Sequence, residues 1–306
     1  MLKQKERTRV FEMNTDISKN TDKKSLLQVF TSYVLWGVLP VFWKLLAELN
    51  SFYVLASRIV WSTVFCIILI VLTKKTDELK AVLGDKGMRK TLMCSGIAVA
   101  VNWGMYIYAV SSNHILDASL AYYLNPLIVI ALGFFLFHEK LVVRQWLAIA
   151  IAALGICIAV VAYGEFPVFA IVIGTSFAIY GAIKKNVKCS GLISTFVEAL
   201  FLTPFALAYI AWAEMGQVGA IGVFEGMQFL LFPMAGIVTS IPLLIFSMGV
   251  SKVPMSLTGI LMYINPTLQL LIGVLLYHET FDMAKAIMFL CVWVGVVLFI
   301  SARKKS

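Results

Sequence analysis

Two charged residues stand inside apolar runs of this chain, Arg58 in LASRIVWS and Glu198 in TFVEALF, 140 positions apart. A charge surrounded by hydrocarbon is costly, so it faces a cavity, a partner or a water-filled path. Arg58 and Glu198 could pair with one another, or each could engage a solute. Snorkelling to the nearer interface is the plainer alternative for both. Lys44, in PVFWKLL, would form with Arg58 a positive locus able to hold a carboxylate, or would anchor its helix at an interface. Asn125-Pro126 and Asn265-Pro266 are a second pair at the same offset, again inside apolar runs. Proline lacks the N–H that a helix needs and its ring crowds the preceding turn, so each Asn-Pro predicts a kink with a freed carbonyl beside a polar amide. Such a break is tolerated in a membrane where it lines a cavity or is buried in protein. Pro126 and Pro266 are therefore candidate hinges, with purely structural kinks as the alternative.

Aromatic and polar residues surround these positions in the sequence. Asn102-Trp103 lies in the third apolar run, opposite Pro242 at the matching position, and Trp36, Trp43, Trp61, Tyr106 and Tyr123 supply aromatic walls. Singly, each is as readily explained by packing or an interfacial belt. Their density suits an amphipathic or aromatic ligand. The candidate substrate path is thus Lys44, Arg58, Asn102, Trp103, Tyr106, Tyr123, Asn125, Glu198, Tyr263 and Asn265. Glu139 and Glu279 close the two repeated runs and are assigned to gating or helix packing. The adjoining HEKLV and HETFD lack the second histidine of H-E-x-x-H, so no metal site is expected. No cofactor is expected either. The five cysteines form no Cys-x-x-Cys pair and read as small packing residues.

The elements that position these residues follow from composition. Of 306 residues, 61% are hydrophobic and 13% charged, and the mean hydropathy is +0.92. A soluble domain carries about 25% charged residues, so this chain reads as a membrane protein. A bilayer core needs about 20 apolar residues as helix. Ten runs qualify: 26–49, 52–73, 91–111, 117–137, 143–163, 167–184, 192–212, 228–250, 255–277 and 283–302. The polar segment 74–90 reads as a loop or surface helix. The basic N-terminal stretch has no apolar core or small-residue cleavage site, so no cleavable signal is expected. With the N-terminus in the cytoplasm, 22 of the 25 Lys/Arg fall on the cytoplasmic side. The net charge of +9 is thereby a topology signal, and nucleic-acid binding is not needed to explain it.

YLNPLIVIALGFFLFHE at 123–139 recurs as YINPTLQLLIGVLLYHE at 263–279, and 96–141 shares 11 identities in 46 with 236–281 without a gap. The shared Asn, Pro, Gly, His and Glu are not what apolar composition alone repeats. YVLWG at 33–37 resembles FAIYG at 177–181 at a slightly different offset. Five runs per copy is an odd number, so the second copy enters the membrane from the opposite face. The expected fold is all-α and polytopic, ten transmembrane helices as a 5+5 inverted-topology repeat. A cytoplasmic tail covers 1–25, the repeats cover 26–163 and 164–302, and a short cytoplasmic tail covers 303–306. Ala148, Ala152, Gly155 and Ala159 mark one face of the fifth run for close packing.

Ten runs in duplicate, the Asn-Pro in the fourth and ninth and the Glu closing each resemble the EamA type of the drug/metabolite transporter superfamily. WGVLPVFWKLL, ASRIVWS and AYYLNPLIVIALGFFLFHEKL are more closely similar to the RarD group. The resemblance implies an inner-membrane permease with a central cavity. It does not fix a substrate, since the superfamily moves amino acids, metabolites, nucleotide sugars and drugs, and RarD is linked by name to chloramphenicol sensitivity. The function expected is secondary transport or export of small organic solutes, without ATP hydrolysis, because no G-x-x-x-x-G-K-[ST] sequence is present. An intramembrane enzyme would need a nucleophile and base or metal ligands within the spans. A non-transporting scaffold or receptor is not excluded by duplication. The expected partners are a small-molecule substrate and the lipid bilayer, the chain working as a monomer or homodimer with both termini cytoplasmic.

Overall fold

The computed structural model describes residues 22–302 apart from Asn113, Glu165 and residues 279–281. The expected roles for residues 1–21, Glu279 and the tail 303–306 lie outside the described residues. Twelve α-helices follow in order among those described: α1 Lys23–Trp43, α2 Ser51–Leu72, α3 Thr76–Gly84, α4 Lys86–Ser111, α5 Ile115–Phe137, α6 Val143–Tyr163, α7 Val168–Lys185, α8 Gly191–Met215, α9 Leu231–Gly249, α10 Met255–Met262, α11 Ile264–Tyr277 and α12 Met283–Ala302. Ten spans are long and apolar enough to cross a membrane, α10 and α11 together making the ninth. The protein is a multi-pass, all-helical membrane protein. The first span starts at Lys23 where 26 was expected, and the segment 74–90 is resolved into the surface helix α3 and the start of α4.

Local chemistry sets the ends. Asn50 Oδ1 accepts the N–H groups of Phe52 and Tyr53 at the start of α2, and Asp22 accepts the Lys24 N–H before α1, satisfying donors that have no partner inside the helix. The repeated histidines stop two spans. His138 and His278 adopt left-handed backbone at φ 51° and 54°, and their N–H groups donate to the carbonyls of Gly133 and Gly273. Histidine is among the non-glycine residues enriched in that conformation. The Gly-x4-His signal common to both copies is thus a helix C-cap. Glu78 on α3 accepts the Ser190 N–H at 2.6 Å and the Ser190 hydroxyl at 2.9 Å, pinning α3 to the start of α8. Burial pushes the Glu78 carboxyl up, but the two Ser190 bonds and Lys75 outweigh it and hold the group below the usual carboxylate range.

Packing among the spans has a regular pattern. The fifth span packs on the tenth, the fourth on the sixth, the ninth on the first, the second on the seventh and the fourth on the ninth; the second packs on the eighth and the third on the seventh, and the third on the sixth and the eighth on the first. Exchanging every span for the one five places away returns the same set of pairs. Individual contacts repeat at the same offset. A methyl built on Gly155 would stand 3.2 Å from the Met288 carbonyl oxygen, and one on Gly295 would stand 2.7 Å from that of Ala148. Only glycine permits these backbones to approach so closely. Ala148, Ala152 and Ala159 are buried in the same seam. Thr63 and Thr203 share a hydrogen bond of 2.7 Å between their hydroxyls. The resemblance of 33–37 to 177–181 does not give the packing register. Gly37 abuts Asn265 and Leu268, whereas Gly174, not Gly181, abuts Asn125 and Ile128.

Candidate functional site

The spans enclose a cavity of about 400 Å³, within the range of small-molecule sites. Its lining reaches Leu46, Ala47, Leu49 and Ser51 around the α1–α2 connection, at the end of the first span away from the N-terminus, and of these Ala47 and Ser51 are exposed. Its deep end is formed by Tyr33, Phe177, Thr239, Leu243 and Met262. Most of the lining comes from the first five spans.

Arg58, Asn102, Trp103, Tyr106, Asn125 and Asn265 all line the cavity. The Arg58 guanidinium carbon sits 4.1 Å from the centroid of the Trp103 ring and 5.3 Å from that of Trp43. Its Nε is buried without a hydrogen-bond partner, and the cavity wall holds no Asp or Glu. Tyr33 Oη, Asn125 Oδ1 and Thr239 Oγ1 are also buried without partners on lining residues. Buried polar groups are normally satisfied; among the described residues four of the eight unpartnered buried side-chain atoms belong to residues that line the cavity. Asn102 Nδ2 donates to the Ile173 carbonyl at 2.7 Å and joins the third span to the sixth. Gln269 Nε2 donates to Asn265 Oδ1 at 2.7 Å. Tyr106 meets Tyr122 edge-on, with centroids 5.7 Å apart.

Four of the sequence-derived positions lie elsewhere. Lys44 is exposed, its Nζ 3.7 Å from the centroid of the Tyr277 ring, so it adds no charge to the cavity wall. Tyr123 and Tyr263 are buried in the apolar core with α6 and α12, and Tyr122, one residue before Tyr123, supplies the aromatic wall. The Arg58–Glu198 pair does not form. Glu198 accepts from Lys184 Nζ at 2.9 Å and from the Ser95 hydroxyl at 2.8 Å, with Lys184 also bonded to Ser194. Lys184, counted in the sequence as a cytoplasmic loop charge, is 1% exposed and Glu198 5%. Both ends of this pair are out of water, so each side chain satisfies the other in place of solvent. The cluster joins the third, sixth and seventh spans at the closed end of the cavity.

An aromatic layer separates this cluster from the cavity. Tyr180 stacks on Phe246 at 6.2 Å between centroids, Trp36 lies 5.5 Å from Phe246, and Phe177 meets Trp36 edge-on at 5.8 Å. Glu139 completes the closed end. Its carboxylate accepts the N–H groups of Met255 and Ser256 at 2.6 and 2.9 Å and caps α10, locking the fourth span to the ninth. Lys185 Nζ donates to the Val253 carbonyl at 2.6 Å beside it.

The Asn-Pro positions differ between the copies. α5 runs unbroken through Pro126, whereas the ninth span is interrupted at Tyr263, three residues before Pro266. In each copy the carbonyl that loses its donor belongs to the residue four positions earlier, Tyr122 or Met262, and both residues line the cavity. The site has one cation, amides, phenols and indoles around an apolar space. Among the described residues no group of three or more His, Cys, Asp or Glu could hold a metal ion. The arrangement can bind and orient a small molecule without covalent chemistry.

The EamA-like transporter family model matches residues 23–161. The chain is 38% identical over 287 residues to the uncharacterized transporter YojE of Bacillus subtilis, covering 92% of this chain and 95% of the relative. It is 32% identical to the protein RarD of Streptomyces exfoliatus, covering 92% of this chain and 89% of the relative. A solved crystal structure superposes over 92% of this chain and 99% of its own with a TM-score of 0.69 at 18% identity, a likeness of fold.

Proposed function

From the premise that this chain belongs to the EamA-like transporter family, and within it is RarD-like, we propose that it is a secondary transporter moving small organic metabolites or drugs through the central cavity by alternating access. That it is a membrane transporter follows from the family; the mechanism and cargo are the proposal. The observation that carries it is a polar-lined cavity between the spans that reaches the exposed Ala47 and Ser51, with an aromatic layer and a buried ion pair beyond Trp36 and Phe177. A scaffold needs neither a wall of unsatisfied polar groups nor a layered closure.

The span pairing that is unchanged by a shift of five, and the Gly155/Gly295 and Thr63/Thr203 contacts, support the reading of two inverted five-helix repeats. In such a protein the opposite state arises when the halves exchange conformations. The second cavity would then be walled by the counterparts of the first: Glu198 for Arg58, Leu243 for Trp103, Phe246 for Tyr106 and Met262 for Tyr122. The present cavity opens on the face away from the termini. With both termini cytoplasmic in the inner membrane, this is the outward-open state. The cavity is enclosed by one chain, which supports a monomer as the transport unit within a monomer or homodimer.

Flux into proteoliposomes tests the reading. Purified protein should accelerate entry or exchange of radiolabelled candidate solutes at least several-fold over empty vesicles, without ATP. Protein that binds solutes in the cavity yet moves none across a range of ion gradients would make it a receptor or scaffold. The sidedness has its own check. Single cysteines placed in α3 should react with an impermeant thiol reagent only from the cytoplasmic face, and cysteines in the 216–222 loop only from the outer face. Reaction of α3 from outside would invert the assigned topology.

A further inference from the structure

Resting on the transporter reading, we propose that the cargo is an organic monoanion, an aromatic or branched apolar body bearing one carboxylate-like group and no amine, held by Arg58. Arg58 is the cavity's single charged residue, and no acid lines the wall. It takes part in no ion pair among the described residues. Arg58 is half-buried, and a guanidinium partly withdrawn from water without a counter-charge is costly. The Trp43 and Trp103 rings offset part of that cost through their electron-rich faces. The buried Nε of Arg58 nevertheless remains an unused donor. A planar oxyanion answers both needs, because it neutralises the charge and can accept two parallel N–H bonds from the fork.

The rest of the wall selects against the other charge types. An ammonium group next to the bound anion would sit within a few ångströms of the guanidinium, with no carboxylate in the wall to receive it. The rings best placed to hold a cation are already occupied by Arg58. A free cation meets the same repulsion without any compensating contact. The body of the ligand meets Tyr106, Tyr122 and Phe177, a surface for an aromatic or branched group. The half-buried Asn265 and Gln269 amides on the wall can orient polar substituents. Lys44 does not add a second charge, so a dianion is not favoured over a monoanion.

Three probes of one shape separate these classes: 3-phenylpropionate, 3-phenylpropionamide and phenylalanine, titrated calorimetrically against the protein in nanodiscs. The anion is expected to bind at least tenfold more tightly than the amide or the amino acid. Arg58→Gln should remove that preference, and Arg58→Lys should keep part of it, since a point charge replaces the fork. Equal or tighter binding of the amide or of phenylalanine to the wild-type protein would overturn the proposal, as would undetectable binding of 3-phenylpropionate. Retention of the full preference by Arg58→Gln would also overturn it. The wild-type comparison stands even if a variant fails to fold. Flux distinguishes this proposal from the one beneath it. Anion preference in binding without flux keeps the site and removes transport, whereas flux without anion preference keeps transport and removes the monoanion.

Discussion

Replacing Glu198 with leucine is expected to be the most damaging single substitution in the chain, costing on the order of 3–5 kcal/mol of stability. The cost comes from what is left behind. Lys184 would lose its carboxylate 2.9 Å away while remaining 1% exposed. Lys184→Met alone should cost a similar amount for the same reason, since Glu198 would keep only the Ser95, Ser194 and Tyr180 hydroxyls. The double variant Lys184→Met/Glu198→Leu removes both charges and should recover most of the loss, because an apolar pair of similar volume is often neutral or better. Thermal unfolding of the four proteins in detergent closes this cycle. Additive losses in the double variant would mean that the pair is not coupled as the geometry requires. Glu198→Leu alone, which leaves Lys184 buried without a counter-charge, should also weaken the packing around the ion pair and favour a state in which Lys184 meets water, at a cost to flux.

The Asn-Pro pair should have the next largest effect, on transport and not on folding. Pro126→Ala and Pro266→Ala each restore a donor to a helix in which the carbonyl of Tyr122 or Met262 lacks one. Insertion should survive, since every span stays apolar. In the proposed inverted arrangement the two substitutions should bias the cavity toward opposite faces; a bias of about 1.4 kcal/mol changes the ratio of the two states tenfold. The asymmetry already present, a continuous α5 against an interrupted ninth span, is the form such a difference takes in one state. Flux should fall in both variants while labelling of cavity cysteines moves outward in one and inward in the other. Shifts in the same direction would reduce the prolines to packing elements.

The sequence carries the architecture openly, because hydrocarbon leaves little freedom: ten long apolar runs give ten helical spans among the described residues, and small edge shifts such as Lys23 for residue 26 do not alter the count. The cavity is partly legible. Arg58, Asn102, Asn125 and Asn265 are polar groups in apolar runs, and the cost of such placement points to a lining role. Tyr123 was indistinguishable from Tyr122 by composition, yet adjacent helical residues point about 100° apart and only one can meet the cavity. The repeat itself favours Tyr123, because Tyr263 matches it. Residues retained in both copies, such as Tyr123/Tyr263, Gly155/Gly295 and His138/His278, serve shared packing and caps. The cavity wall keeps the shared Asn125/Asn265 but also draws on positions where the copies differ, Arg58 against Glu198, Trp103 against Leu243 and Tyr122 against Met262. The partner of Glu198 was not legible, because Lys184 sits at the end of a span, where a lysine usually meets water. The histidine caps had a readable signal, glycine followed five positions later by histidine in both copies.

Access to Thr239 tests the alternating cavity most directly. Its hydroxyl is buried and unpartnered on the cavity wall near the closed end, and cysteine is close to threonine in size. In a chain whose five native cysteines are replaced, Thr239→Cys should react with an impermeant thiol reagent from outside in right-side-out vesicles and from inside in inverted ones. Glu198→Leu, which leaves Lys184 without its counter-charge, should raise the inside rate and lower the outside rate. Reaction from one face only, unmoved by opening the ion-pair cluster, would contradict alternating access.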